Sequence, residues 1–373
     1  MIIGVVKEIK KDENRVSLVP VGAEILTQKG HRVLVEKDAG LNSGFPDSAY
    51  ADSGAETGFT AQEVFAQADL ILKVKEPLES ECRMIRSGQI LFTYFHFAAS
   101  RELTETFLTS GGTAVAYETI ETSDGRLPLL TPMSEVAGKM AVQQAAKYLE
   151  REHGGRGVLI GGVPGVEPAT VMVLGAGIVG TNAAKVAAAL GARVFVLDVN
   201  VDRLRYLDDV MPSNVFTLMS NPANIRKFIR ISDIVIAGVL IHGGRAPKLV
   251  TRDMLKTMRK GAVIVDVAID QGGSFETSRA TTHKDPIYEV DGVIHYCVSN
   301  MPGAMPVTST MALTNVTLPY VVRIAEMGIK EAVCKDSAIR HGVNIMQGKI
   351  VYKAVAEAFD MEYTPVETLI CQD

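Results

Sequence analysis

The sequence predicts an α/β protein of two domains, each built on a parallel sheet, and three observations predict it. Stretches of strand character alternate with helical ones along almost the whole chain, which is the pattern of parallel α/β folds. At 373 residues the chain is too long for a single core of common size. A glycine-rich turn flanked by strand, helix and strand lies in mid-chain, with α/β sequence on both sides of it.

The first strands are IIGVV from Ile2, RVLVE from Arg32, LILKV from Leu70, ILFTY from Ile90 and TAVAYE from Thr113. Between them VGAEILTQKG and RELTETFLTSGG read as helices, each closing on the glycine a C-cap uses. The proline-containing DGRLPLLTPMSE then leads into a helix from Ser134 to Glu150, and the glycine-rich HGGRGVLIGGVPG follows. The domain boundary falls near residue 128, so 1–128 is the first part of one domain.

Residues 171–198, VMVLGAGIVGTNAAKVAAALGARVFVLD, combine into a device for holding a dinucleotide. Gly175, Gly177 and Gly180 stand at G-x-G-x-x-G spacing after an apolar strand. Gly175 permits the tight turn, Gly177 lets backbone approach a pyrophosphate, and Gly180 lets the helix pack close to the sheet. Ile178 and Val179 open the helix, whose start presents free N–H groups to phosphates. Asp198, ending the second strand, is placed to accept hydrogen bonds from an adenosine ribose; its charge repels a 2′-phosphate, which selects NAD. Arg203 stays open: a 2′-phosphate would favour it, but it reads equally as a solvated helix residue or as a partner for pyrophosphate or ribose.

This Rossmann unit continues through NVFTL, SDIVIAG, GAVIVDVAID and VIHYCVSN until the turn-rich MPGAMPVTST ends it, giving a nucleotide domain over 129–306. The long helix MALTNVTLPYVVRIAEMG and the short C-terminal segment, 307–373, cannot form a domain alone and are expected to pack back on the first one. The nucleotide domain is then an insertion into a discontinuous substrate domain, and the expected active site is the cleft between them.

Composition excludes several function classes. Apolar residues at 47% and charged residues at 22% are those of a globular protein. A net charge of −5 with mixed signs offers no basic face for nucleic acid. The longest apolar runs, such as IVIAGVLI from Ile234, fall far short of the ~20 residues that span a bilayer, and the N-terminus lacks the order of a secretory signal. Cys82, Cys297, Cys334 and Cys371 are scattered, without metal-ligand spacing, so no metal site is expected and a reducing cytoplasm is.

Motifs outside the glycine turn carry a resemblance. VVKEIKKDENRVSLVP near the start, LKVKEP at Leu72, TYFHFA around His96, YETIE at Tyr117, PMSEVAGKMA at Pro132 and AIDQGG at Ala268 resemble the alanine dehydrogenase family, collinearly over essentially the whole chain. The NAD-binding soluble part of the proton-translocating transhydrogenases is related and shares the architecture. The resemblance implies reversible oxidative deamination of L-alanine to pyruvate and ammonia with hydride transfer to NAD, in a soluble homo-oligomer, usually a hexamer. The alternatives are the NAD(H)-binding subunit of a transhydrogenase, a dinucleotide-binding protein that has lost catalysis, or another small amino-acid dehydrogenase.

That chemistry needs cations for a carboxylate, an acid/base for an ammonium group and for water, and a held cofactor. Arg15, a solvated loop arginine on residue statistics alone, matches the family's carboxylate-binding arginine; its planar fork suits that task. Lys75, otherwise an exposed strand-edge lysine, is assigned with it to the substrate carboxylate or carbonyl oxygen in preference to Lys73. His96, otherwise a core histidine among aromatics, matches the catalytic histidine, and imidazole titrates close enough to neutrality to serve as acid and base. Asp270, ending AVIVDVAID, matches an aspartate beside nicotinamide and substrate that orients the amine or the attacking water, whereas Asp266 reads as structural. Ser134, Ser220, Val239, Leu240, Asn300 and Met301 match positions that line the dinucleotide, though each reads equally as a cap, turn or packing residue.

Overall fold

The structure, a computed structural model, describes residues 1–239 and 246–370. Six strands come first: β1 (Ile2–Val5), β2 (Arg32–Glu36), β3 (Glu56–Phe59), β4 (Leu70–Leu72), β5 (Ile90–Thr93) and β6 (Thr113–Ala116). Seven more follow: β7 (Thr170–Leu174), β8 (Arg193–Asp198), β9 (Val215–Met219), β10 (Ile234–Ala237), β11 (Val263–Asp266), β12 (Ile287–Val290) and β13 (Val293–Tyr296). Two short strands, β14 (Val343–Met346) and β15 (Lys349–Ile350), lie near the end. The chain divides into two compact units, Met1–Met133 with Gly303–Asp373, and Ser134–Pro302.

The first unit holds an eight-stranded sheet in the order β15-β14-β6-β5-β4-β1-β2-β3. β1 to β6 run parallel, and the C-terminal β14 joins β6 antiparallel. Because successive strand residues face opposite sides, the sheet separates two cores. Leu70, Leu72, Ile90 and Phe92 enter one, while Ile71, Leu91 and Ala114 enter the other. Strands covered on both faces read as continuous apolar runs, which is why β4 and β5 are recognisable in the sequence. β3 is not: ETGF buries little, and no expected strand corresponds to it.

Local signals explain the helices around this sheet. Arg101–Ser110 begins where Ser100 Oγ accepts the Leu103 N–H at 3.2 Å and ends at Gly111, whose φ of 69° closes the helix in the left-handed form. Thr60 and Glu63 form a reciprocal capping box at the start of Ala61–Gln67. The turn-rich MPGAMPVTST is partly helical: the helix Pro306–Lys335 starts at Pro306, a first-turn position where the missing N–H costs nothing. That helix is interrupted at Gly328, with φ 73° and ψ 161°, and resumes beyond it.

The second unit holds a seven-stranded sheet in the order β12-β13-β11-β10-β7-β8-β9. All pairs are parallel except the β12–β13 hairpin. Strand order reverses between β7 and β10, and such a switch point is where doubly wound sheets place ligands, beyond the carboxyl ends of the strands. One face of the sheet is closed by a core that includes Met172, Leu174, Val235 and Ile264.

Candidate functional site

In the second unit the glycine turn leaves β7 at its switch-point end. Gly175 adopts φ 99°, a region closed to side chains, and its N–H donates to Leu197 O at 2.7 Å. A Cβ on Gly180 would stand 1.8 Å from Gly175 O, so glycine there is a packing necessity. Gly177 differs, because a Cβ there would meet no protein atom within 4 Å. It caps the helix Ile178–Ala189 with no side chain of its own, leaving the first-turn N–H groups facing open space. An open, positively polarised helix start behind a tight turn fits a pyrophosphate.

Ala176, between the glycines, is gripped from both sides. Its N–H donates to Asp198 Oδ2 at 2.6 Å, and its carbonyl accepts from Arg203 Nε and Nη2 at 3.1 and 2.8 Å. Asp198 Oδ1 also accepts the Asn200 N–H at 2.7 Å, yet a carboxylate has capacity left for ribose hydroxyls. Arg203 is therefore no solvated helix residue, since it braces the turn while its guanidinium lies over the Tyr206 ring.

The remaining positions of this unit vary in what they show. Ser220, half-buried, follows β9 and donates its N–H to Asp198 O at 2.8 Å. Val239, half-buried, lies just past β10, with its Cγ2 3.1 Å from where a Cβ on Gly175 would be. Leu240 lies outside the described residues. Asn300 has φ 57° and accepts at its carbonyl from the His283 ring at 3.2 Å, while Met301 is buried. Ser134 sits inside a helix that begins at Thr131, three residues before the expected start.

Asp270 does not end a strand. β11 stops at Asp266, whose Oδ1 accepts the Ala268 N–H at 3.1 Å and turns the chain into the short helix Val267–Gln271. Asp266 is buried and also accepts from Ser274 N at 2.8 Å and Ser278 Oγ at 2.5 Å, as its structural assignment requires. Asp270 is exposed in the turn.

In the first unit Arg15 and Lys75 act on each other electrostatically, Lys75 following β4 and His96 following its neighbour β5. Arg15 is 2% exposed, not solvated. Its Nε and Nη2 donate to Glu13 Oε1 and Oε2 at 2.7 and 2.5 Å, and Nη1 lies 2.9 Å from Met133 Sδ. Burial works against its charge, and Glu13 overrides that, so the guanidinium stays firmly protonated.

Lys75 lies three residues beyond β4, a strand in the middle of the sheet, so it is not an edge lysine. Burial lowers its pKa, and the positive charge of Arg15 lowers it further. Among the described residues its ammonium has no hydrogen-bond or ion-pair partner. Its backbone is held instead: Thr93 Oγ1 donates to Lys75 O at 2.9 Å, and Glu8 Oε1 accepts from Val74 N at 2.6 Å and Lys75 N at 3.4 Å.

Sequence reasoning missed what anchors Glu8. Lys73, 1% exposed, donates to Glu81 Oε1 at 2.6 Å and to Glu8 Oε2 at 3.4 Å, forming a fully buried triad beneath the strand end. Burial pushes the Glu8 carboxyl up, and the two acids together keep Lys73 charged against its own burial.

His96 follows β5 and is exposed at the rim of a cavity of about 410 Å³ that Glu76, Pro77 and Phe95 also line. Its φ and ψ, 53° and 39°, are left-handed, which costs a residue with a Cβ about 1–2 kcal/mol. The ring stacks parallel to Tyr94, centroids 5.9 Å apart, and Tyr94 OH donates to Leu129 O at 2.5 Å. Phe95 and Phe97 turn inward on either side.

The first unit thus holds two cations that act on each other, buried Arg15 held by a carboxylate and half-buried Lys75 without a partner among the described residues, and an accessible imidazole at His96. Residues 4–137 match the family model described as "Alanine dehydrogenase/PNT, N-terminal domain", and residues 141–353 match "Alanine dehydrogenase/PNT, C-terminal domain". An alanine dehydrogenase of Methanococcus maripaludis is 55% identical over 368 residues, covering 98% of this chain and 99% of that one. A solved L-alanine dehydrogenase superposes with a TM-score of 0.94 at 49% identity, covering 96% of this chain and 99% of the other. A transhydrogenase from Sinorhizobium meliloti follows at TM-score 0.82 and 28% identity, covering 95% of this chain and all of that one.

Proposed function

We propose, from the premise that the chain belongs to the alanine dehydrogenase/PNT family, that it is an NAD-dependent L-alanine dehydrogenase. It is an oxidoreductase acting on a CH–NH₂ group, converting L-alanine, water and NAD to pyruvate, ammonium, NADH and a proton, reversibly. The observation that carries this reading is the Arg15–Lys75 pair, in which two cations, Arg15 buried and Lys75 half-buried, lie close enough to repel each other. A bound carboxylate relieves that repulsion.

NAD, when bound, supplies the hydride acceptor. Gly175, Gly177, Ile178, Val179 and Gly180 are assigned to its pyrophosphate, and Asp198 to its ribose, with Arg203 bracing the turn. Ser134, Ser220, Val239, Leu240, Asn300 and Met301 are assigned to its flanks. Arg15 and Lys75 hold the substrate carboxylate and, in pyruvate, the carbonyl oxygen. His96 takes the proton from the substrate ammonium, so that the neutral amine can drive hydride loss from Cα, passes that proton to solvent, and then takes one from the water that attacks the resulting iminium, returning it to the departing amine. Asp270 is the second proposed catalytic residue, orienting the amine or the water.

The reading includes a homohexamer and a cytoplasmic location. The first is supported by the family resemblance and the second by the free thiols of Cys82, Cys297 and Cys334. A transhydrogenase subunit would bind NAD(H) without acting on an amino acid, and Arg15, Lys75 and His96 favour the enzyme. Purified protein should reduce NAD in the presence of L-alanine at mildly alkaline pH, and His96→Ala should lower turnover by about 10²–10⁴-fold while NAD binding survives. Absence of alanine-dependent NADH formation would sink the assignment.

A further inference from the structure

The left-handed turn at His96 does not hold itself. β5 ends at Thr93, paired with Ala116 of β6; the next amide, Tyr94 N–H, still donates to Val74 O at 3.3 Å, but among the described residues no backbone carbonyl accepts the amides of Phe95 and His96. Glu118 fills that role. It lies in the short turn Tyr117–Thr119 that follows β6, and its Oε1 accepts the His96 N–H at 2.5 Å. The Phe95 N–H donates to both carboxylate oxygens, at 3.2 Å each.

One carboxylate therefore fixes two consecutive amides, one of them in a backbone conformation that a side chain disfavours. The consequence falls on the direction of three rings. With the chain turned left-handed at His96, Phe95 and Phe97 stack on each other in the core at 4.5 Å while the imidazole alone is presented outward, flat against Tyr94. If the turn relaxed to an extended or right-handed form, the imidazole would leave Tyr94 and lose its fixed place beyond the end of β5, where Thr93 also ties the backbone of Lys75.

The geometry points to Glu118 as a positioning residue for His96: its carboxylate caps the end of β5 and holds the strained turn that aims the imidazole. This rests on the reading of His96 as the acid/base of the proposed reaction. Glu118 does not touch the reacting atoms and acts through the His96 backbone.

The test is a double-mutant cycle on the full-length enzyme, following kcat, KM for NAD and residual turnover. Glu118→Ala should lower kcat by about 10²-fold, the scale of a 1 Å misplacement of a catalytic group, with KM for NAD unchanged. Glu118→Gln should lie between, down about tenfold, because one amide oxygen still accepts the His96 N–H while the amide nitrogen confronts that of Phe95. In a His96→Ala background neither substitution should reduce turnover further. A merely structural role would instead add its loss in both backgrounds and overturn the proposal. So would parental kcat in Glu118→Gln, the variant that keeps the test sharp if Glu118→Ala folds poorly. If His96→Ala itself leaves turnover intact, it is the acid/base assignment of His96 that fails; if His96→Ala is inactive and the Glu118 variants are unimpaired, only the positioning role fails.

Discussion

Arg15 and Glu13 form a two-pronged ion pair, Nε to Oε1 at 2.7 Å and Nη2 to Oε2 at 2.5 Å, with side chains only 2% and 0% exposed. The carboxylate fixes the plane of the guanidinium before any substrate arrives, so little rotamer freedom is left to lose on binding. Removing one partner of a buried pair leaves an uncompensated charge, which costs about 3–5 kcal/mol. Glu13→Ala should therefore lower the denaturation midpoint and raise KM for pyruvate together. Arg15→Lys, which keeps the charge but loses the fork, should lower kcat/KM for pyruvate by about 10²-fold. Unaltered stability in Glu13→Ala would remove Glu13 from this role.

The triad of Lys73, Glu8 and Glu81 makes a similar prediction with a pH signature. Lys73→Met strands two acids in a buried place, with a loss of about 3–5 kcal/mol expected at neutral pH. Glu8 already has a raised pKa from burial, and without Lys73 it rises further. A group whose folded pKa is raised contributes stability that is present below its unfolded value and lost as pH climbs through the folded one. The melting temperature of Lys73→Met should thus fall from about pH 5 to about pH 7 more steeply than that of the parent. Combining it with Glu8→Gln and Glu81→Gln should flatten that slope.

What was legible in the sequence follows from how local each determinant is. The turn could be read because Gly175 needs its positive φ and Gly180 its contact with Gly175 O, both settled within six residues, while Gly177 stands out by its place in the motif. The burial of Arg15 could not: Glu13 stands in the run KEIKKDEN, which looks like solvated surface, and only the closing of β1 beside β4 takes part of that run inside. Lys73 was set aside for the same reason, since its partners Glu8 and Glu81 come from separate segments. Asp270 was displaced from its expected strand end because Asp266 caps the following turn four residues earlier. Glu118 leaves no local trace, because its acceptors' partners are amides 22 and 23 residues away.

Lys75 should reveal itself through stability as well as rate. Its pKa lies below the ordinary 10.5, from burial first and Arg15 second. Between the lowered value and 10.5 the unfolded chain binds more protons than the folded one, so this group's contribution to stability improves as pH rises through that window. At neutral pH the charged Lys75 is a cost that function retains. Lys75→Met should raise the melting temperature at about pH 7, the advantage shrinking toward about pH 10, while kcat/KM for pyruvate falls by about 10²-fold or more. A melting difference independent of pH would contradict the burial of a charged lysine.

Two glycine substitutions separate packing from ligand approach in the nucleotide unit. At Gly180 a methyl group would lie 1.8 Å from Gly175 O, a backbone atom that can yield only by moving the turn itself. Gly180→Ala should cost about 1–3 kcal/mol of stability and weaken NAD binding as a consequence. At Gly177 the same methyl group meets no protein atom within 4 Å, and φ is an ordinary −71°. Gly177→Ala should leave the melting temperature unchanged and still raise the Kd for NAD by about tenfold or more, because the space a methyl would fill is the space assigned to the pyrophosphate. Calorimetric titration with NAD, set beside thermal melts of both variants, checks the contrast. Parental NAD affinity in a stable Gly177→Ala would mean that the pyrophosphate does not lie over this turn.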